Sequence, residues 1–196
     1  MPMPDLTVPN RQDCLRLLRR RQVLGNVVEH CLRVAEVAKT LSRGLIRAGG
    51  TIDLALVEAA ALLHDIAKVE SLKAKVDHAL AGQRLLGSLG FAPAVGHIVR
   101  HHVRLPDPGA EDELLCRMEC EIVNYSDKRC NGGCVVSLAE RFDYIRGRYG
   151  HTEEIIGLIN KLENHTLELE CRLFVRLPFS PEDLEEYLEP CLTEDL

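Results

Sequence analysis

Apolar residues recur along this chain at three- and four-residue spacing, interrupted by capping residues, glycine and proline, and that rhythm predicts a succession of helices. Asn10 is placed to cap a short helix reaching Arg21, with Cys14, Leu15, Leu17 and Leu18 on an apolar side and Arg16, Arg19, Arg20 and Arg21 on a solvated one. Asn26 is the expected cap of the next helix, along which His30, Val34, Val37, Leu41 and Leu45 share a face until Gly49-Gly50 ends it. The stretch that starts at Thr51 or Asp53 is apolar almost without break from Leu54 to Leu63, so this helix should be buried on most sides. It ends in His64-Asp65, and Lys68 follows one turn later on the side where Asp65 points.

Asp77-His78 opens a helix running to Leu89 and stopped by Gly90, and Pro93 starts a shorter one to His102. Residues 104–112 are polar and carry proline and glycine, as a surface loop beside the paired histidines would. Glu111 is expected to begin a long helix on which Cys116, Cys120, Val123 and Asp127 align, so that Asp127 points inward. Cys130 to Cys134 reads as a turn, followed by helices from Ser137 to Arg148 and from Thr152 to about Cys171. Ser180-Pro181-Glu182-Asp183 reads as the start of a last helix leading to Leu188. The fold class that follows is all-α, a single-domain helical bundle of eight or nine helices.

Composition agrees with that picture. The 196 residues are 46% hydrophobic but only 4% aromatic, with no Trp, which suits aliphatic ridge packing between helices. A net charge of -6 gives no global basic field, so nucleic acid is not the expected partner. No apolar run approaches the roughly 18 residues of a membrane span, and the first residues lack the basic and apolar regions of an export signal, so a cytoplasmic protein is expected. In that setting the eight cysteines should be reduced thiols.

The inward-facing ionisable groups are His30, His64, Asp65, His78, His101, His102 and Asp127, each at a helix end or on an apolar face. Any one alone is more simply a hydrogen-bonded core residue. Together they exceed what the remaining sequence can pair, because each buried imidazole or carboxylate needs its own partner, and a shared metal site solves the problem for all.

The order His, His-Asp, His, His-His, Asp resembles the HD-domain superfamily of metal-dependent phosphohydrolases, in the subset that binds two metals. The resemblance covers roughly residues 26–144 and rests on His64-Asp65-Ile66-Ala67-Lys68, His78 with Gly82, Ile98-Val99-Arg100-His101-His102, and Glu121 through Lys128. It implies an HD metal-binding domain over residues 26–150, with residues 1–25 as a helix packed on that core and 151–196 as a helical extension of the same domain. It implies one ion held by His30, His64, Asp65 and Asp127, and a second held by His78, His101 and His102 with Asp65 bridging. Two divalent transition-metal ions such as Fe or Mn suit these imidazole and carboxylate ligands. Asp65 and Lys68 are then the catalytic pair. Lys68, Arg104, Lys128 and Arg141 are the candidate substrate-binding cations, Arg141 foremost. The chain departs from the cyclic-dinucleotide branch, where a Gly-Tyr-Pro signature follows the paired histidines, since Val103-Arg104-Leu105-Pro106 stands here instead. Asn26 also occupies a position where that branch often has a carboxylate.

Other signals weigh less. Cys116-x3-Cys120 and Cys130-x3-Cys134 invite a zinc cage, but the first pair falls on an apolar helical stripe where thiols are ordinary packing. His97 is a reserve ligand one turn before His101, and His151 and His165 read as surface residues. The expected activity is hydrolysis of a nucleotide or related phosphate ester by two-metal activation of water, with a small-molecule substrate and a homodimer allowed but not required. Two alternatives use the same residues: a di-iron oxygenase of the HD fold, and a regulatory module that binds a nucleotide without turnover.

Overall fold

The structure, a computed structural model, describes residues 6–106 and 116–188. Among them run nine α-helices: α1 (Arg11–Arg20), α2 (Gly25–Arg47), α3 (Leu54–Leu63), α4 (Lys68–Ala74), α5 (His78–Ser88), α6 (Pro93–His101), α7 (Arg117–Lys128), α8 (Leu138–Tyr149) and α9 (Glu153–Phe174). A short hairpin, β1 (Cys130–Asn131) with β2 (Cys134–Val135), is inserted after α7, and a 3-10 turn at Leu184–Tyr187 follows α9.

The architecture is all-α, organised around α3. This helix packs against α1, α2, α6 and α7, and Leu56, Val57 and Ala59 through Leu63 are all buried. Its run of alanines lets neighbouring backbones approach, while Leu62 and Leu63 fill the core between them. Truncating either leucine to alanine should cost about 2–5 kcal/mol. Asp53 fixes where α3 starts by accepting a hydrogen bond from the Leu56 amide at 3.0 Å.

Several predicted boundaries hold because their caps form. Asn10 accepts from the Asp13 amide, Asp77 from Ala79 and Leu80, Thr152 from Ile155, and Ser137 makes a reciprocal capping box with Glu140. Others shift. Asn26 is not a cap: α2 begins two residues earlier than an Asn26 cap would place it, its first turn closing on the Leu24 carbonyl, and Asn26 is exposed within that turn. The helix expected from Glu111 begins at Arg117, with Cys116 as its N-cap in the left-handed region at φ 56°, so Cys116 is not mid-helix; residues 111–115 of that expectation lie outside the described residues. The Ser180 start is real, with its hydroxyl donating to Asp183 at 2.8 Å, but it leads only into the four-residue 3-10 turn. Helix α4 carries no signature in the sequence, since seven residues are too few to show a periodic pattern.

What positions the site is the convergence of helix ends. The C-terminal ends of α3, α6 and α7 and the N-terminal end of α5 meet beside the first turns of α2. After α3 the chain makes one tight turn through His64 to Ala67, closed by the Lys68 amide on the Asp65 carbonyl at 3.0 Å, and enters α4.

Candidate metal centre

Asp65 sits at the middle of this convergence, almost fully buried. Its Oδ2 lies 3.4 Å from His64 Nε2 and 3.9 Å from His30 Nε2, while its Oδ1 lies 3.4 Å from His78 Nε2 and 3.7 Å from His102 Nε2. Asp127 joins the first pair, with Oδ1 3.1 Å from His30 and 3.7 Å from His64. Two trios of ligating atoms, His30-His64-Asp65 and Asp65-His78-His102, each lie within 4.8 Å of one another. One carboxylate thus belongs to both.

The rings are oriented from behind. The Nδ1 atoms of His64 and His102 donate to the carbonyls of Ala61 and Val99, at 2.8 and 2.7 Å, in the preceding helical turn. Carbonyls only accept, so these bonds place a proton on each Nδ1 and leave each Nε2 as the ring nitrogen that faces the carboxylates. His30 Nδ1 lies 3.3 Å from the carbonyl of Gly132 at the hairpin tip, and Arg33 Nε holds the next carbonyl, Gly133, at 2.7 Å. Gly133 leaves room for the Glu29 side chain, whose carboxylate would lie 2.4 Å from a Cβ there and would have to move aside for any larger residue.

Two buried atoms at the centre, His64 Nε2 and Asp65 Oδ1, complete no hydrogen bond. Their nearest neighbours are one another's ligand partners at 3.4 Å, misdirected for donation. Such orphans are costly, and a buried imidazole nitrogen and a carboxylate oxygen that complete no hydrogen bond are what a shared metal ion satisfies. The donor set, imidazole nitrogen with carboxylate oxygen and no thiolate, fits a divalent metal of the Mn, Fe or Zn kind.

Charge is balanced tightly. Burial pushes Asp65 up, but the charge of His64, the neighbouring His102 and Lys68 outweigh it and hold the carboxyl well below the usual range. Asp127 is likewise held low, with Lys128, His30 and Arg141 overcoming its burial. Burial alone would lower His64, yet the Asp65 carboxylate raises it well above an ordinary histidine. His78 and His102 move down, chiefly through burial, His78 to about 4.

The candidate residues named from sequence separate in the structure. His101 stands outside both trios, its ring 4.7 Å from that of His97. Adjacent residues on a helix project about 100° apart, so one of the pair at the end of α6 faces Asp65 and the other turns away. Lys68 Nζ bonds Asp65 Oδ2 at 2.6 Å and remains one-third exposed. Arg141 is held loosely, 3.8 Å from Asp127 Oδ1 and 3.4 Å from Asn131 Oδ1, with its Nε unpartnered and its guanidinium over the Tyr144 ring. Lys128 does not face outward: its Nζ is buried and donates to the His102 carbonyl and to Asp127 Oδ2. Arg104 lines a cavity of about 630 Å³ with Arg117, Lys161 and Arg172, and none of the candidate ligands borders it. Arg100 pairs with Asp77, and Arg129 is buried against Tyr125, Glu170 and Pro181. His151 and His165 are exposed.

Among the described residues the cysteines make no cage. Cys130 is buried in β1 opposite Val135, Cys134 is exposed opposite Asn131, and no metal-holding group among the described residues contains a thiol. Two contributors escaped the sequence reading. The Gly132 carbonyl behind His30 carries no sequence signal, whereas Asn124, one turn before Asp127 and Lys128 on the same inward face, could have been found by helical spacing.

Comparison with known proteins places this geometry among relatives. Residues 27–145 match the family described as HD domain. An uncharacterized protein of Methanocaldococcus jannaschii is 37% identical over 78 residues, which is 40% of this chain and 45% of that protein. Ribonuclease Y from Salinispora tropica is 24% identical over 190 residues, 96% of this chain and 30% of the enzyme, as is Ribonuclease Y from Salinispora arenicola. The chain therefore spans less than half the length of these relatives. No solved structure matches. Among the described residues no helix is long and apolar enough to cross a membrane.

Proposed function

The chain belongs to the HD-domain family, and from that premise we propose that it is a metal-dependent phosphohydrolase acting on a nucleotide or related phosphate ester. The observation that carries this reading is the division of Asp65, one oxygen toward His30 and His64 and the other toward His78 and His102. His30, His64, Asp65 and Asp127 would hold one divalent ion, and Asp65, His78 and His102 a second. Bound there, the pair supplies Lewis-acid polarisation of a phosphoryl oxygen and a water acidic enough to ionise at neutral pH.

The chain's own cations do the rest. Lys68 is the group that meets charge gathering on the phosphate, since its ammonium is both anchored on Asp65 and reachable from solvent. Burial opposes its charge, but Asp65 and Asp127 more than restore it, so it stays protonated through the working range. Arg141 has donors to spare and a planar fork that suits two phosphate oxygens. Hydrolysis forms a bond from water oxygen to phosphorus and breaks the bond to the leaving oxygen, which gains a proton.

The likeness to Ribonuclease Y along nearly the whole chain supports a phosphodiester within the substrate class and places short RNA on the list to be tried beside mononucleotides. A panel of phosphomonoesters, dinucleotides and oligoribonucleotides, assayed with Mn, Fe, Co, Ni and Mg, tests the proposal. Release of phosphate or cleaved nucleotide that disappears in Asp65→Ala is the expected result; binding of nucleotides without turnover under any metal would favour a regulatory module instead.

A further inference from the structure

The two ligand groups sit on different helices, and something must keep them in register to within the few tenths of an ångström that metal ligation tolerates. His30 and His64 come from α2 and α3, whereas His102 ends α6 and His78 begins α5. The last carbonyls of a helix have no partner within it. At the end of α6 those of His101 and His102 are taken by α7: Asn124 Nδ2 donates to both, at 2.9 Å each, and Lys128 Nζ donates to His102. The same Lys128 ammonium donates to Asp127 Oδ2 at 3.2 Å, which turns the other oxygen of that carboxylate toward His30 and His64. The His102 ring is itself tied to α6 through Val99, so it moves with the helix end that α7 grips.

We infer that Asn124 and Lys128 form a strut across the centre: positioning residues that hold His102 against Asp65 and Asp127 against His30, and so fix one ligand group relative to the other. Asn124 and Lys128 lie one turn apart on α7 with Asp127 between them, so a single rigid element sets both ends. The geometry gives Lys128 a positioning place, because the residue is buried and its Nζ already donates to two acceptors inside the protein. Burying an ammonium costs several kcal/mol, and a methionine would fill the same volume without that cost. The charge is retained because it serves two acceptors that no apolar side chain can hold. This inference rests on the two-ion reading of the site.

The strut makes an asymmetric prediction. Loosening it should weaken the ion at Asp65, His78 and His102 by about 10–100-fold, the usual effect of removing a group that orients a ligand. In Asn124→Leu, which leaves Lys128 on Asp127, the ion at His30, His64, Asp65 and Asp127 should be little affected. Manganese(II) titration followed by electron paramagnetic resonance reads this directly. The wild-type protein should develop an exchange-coupled dinuclear signal at two equivalents. Asn124→Leu and Lys128→Met, each checked for a native helical spectrum and a cooperative melt, should show an uncoupled mononuclear signal at the same manganese concentration. A purely structural role would lower Tm and leave the coupled signal in place. Should Lys128→Met fail to fold, Asn124→Leu decides alone, since it keeps the Lys128 contact with Asp127. Coupled signals in the wild type and in the folded variants would overturn the strut while leaving the two-ion reading intact; no coupled signal in the wild type would overturn both.

Discussion

The Nε2 atoms of His78 and His102 face each other across 3.1 Å. His102 carries its proton on Nδ1, bonded to the Val99 carbonyl, so its Nε2 is a lone pair and His78 must supply the proton between them in the metal-free protein. Burial, and then the neighbouring His102, push His78 down to about 4, so the pair stays neutral well below neutral pH. Two soft donors beside an unsatisfied Asp65 oxygen therefore wait without a charge of their own. The first ligand group differs, because there the Asp65 carboxylate overcomes burial and raises His64.

That contrast fixes a pH dependence. Near neutral pH an ion entering the His30-His64-Asp65-Asp127 group must displace the proton on His64, whereas one entering the Asp65-His78-His102 group displaces none. Affinity of the first group should fall about tenfold per pH unit below the raised His64 value, and that of the second should hold to lower pH, because both of its imidazoles are pushed down. Calorimetry in buffers of different protonation heat should show about one proton released for one ion and about none for the other. Equal release from both would contradict the assignment.

Lys68→Met should lower turnover by about 10²–10³-fold with both ions still bound, because it removes charge stabilisation and no ligand. Steady-state kinetics alongside elemental analysis checks both halves. A variant that loses its metals would mean that Lys68 acts by steadying Asp65 instead.

Gly82 tests how closely α5 must approach α6. It lies one turn after His78, and a Cβ there would come 2.9 Å from Val99 Cγ1, a stiff branched side chain on α6. Gly82→Val should destabilise the protein by about 1–3 kcal/mol and, by pushing His78 away from His102, weaken the second ion. Denaturant melts with metal titration measure the two effects; unchanged metal affinity despite lost stability would uncouple this packing from the site.

Much of this was legible from residue order, and the reason is local. His64, Asp65, His78 and Asp127 sit at helix ends that caps and glycines announce, so their inward placement followed from periodicity. His101 shows the limit: helical spacing said that the doublet lay in the last turn of α6, but which histidine faces Asp65 depends on a rotation set by α7. Lys128 shows another, since a lysine next to an inward aspartate reads as solvent-seeking until the carbonyls that end α6 are seen beside it. Asn26 caps nothing because the Leu24 carbonyl starts α2 without any side-chain cap.

The cysteines offer a control on the choice of ligands. Cys130→Ser with Cys134→Ser should leave metal content unchanged, at the cost of some stability because the first of the two is buried. Loss of a zinc ion from the double variant would show a thiolate site that the hairpin geometry does not support.

The most direct test of hydrolysis at this centre is turnover by the manganese-loaded protein in oxygen-18 water under nitrogen. If the ions serve as Lewis acids at Asp65, product forms without dioxygen and carries one labelled oxygen on phosphorus for each ester cleaved. Turnover that appears only with iron and dissolved oxygen, with the label absent from phosphate, would contradict the account.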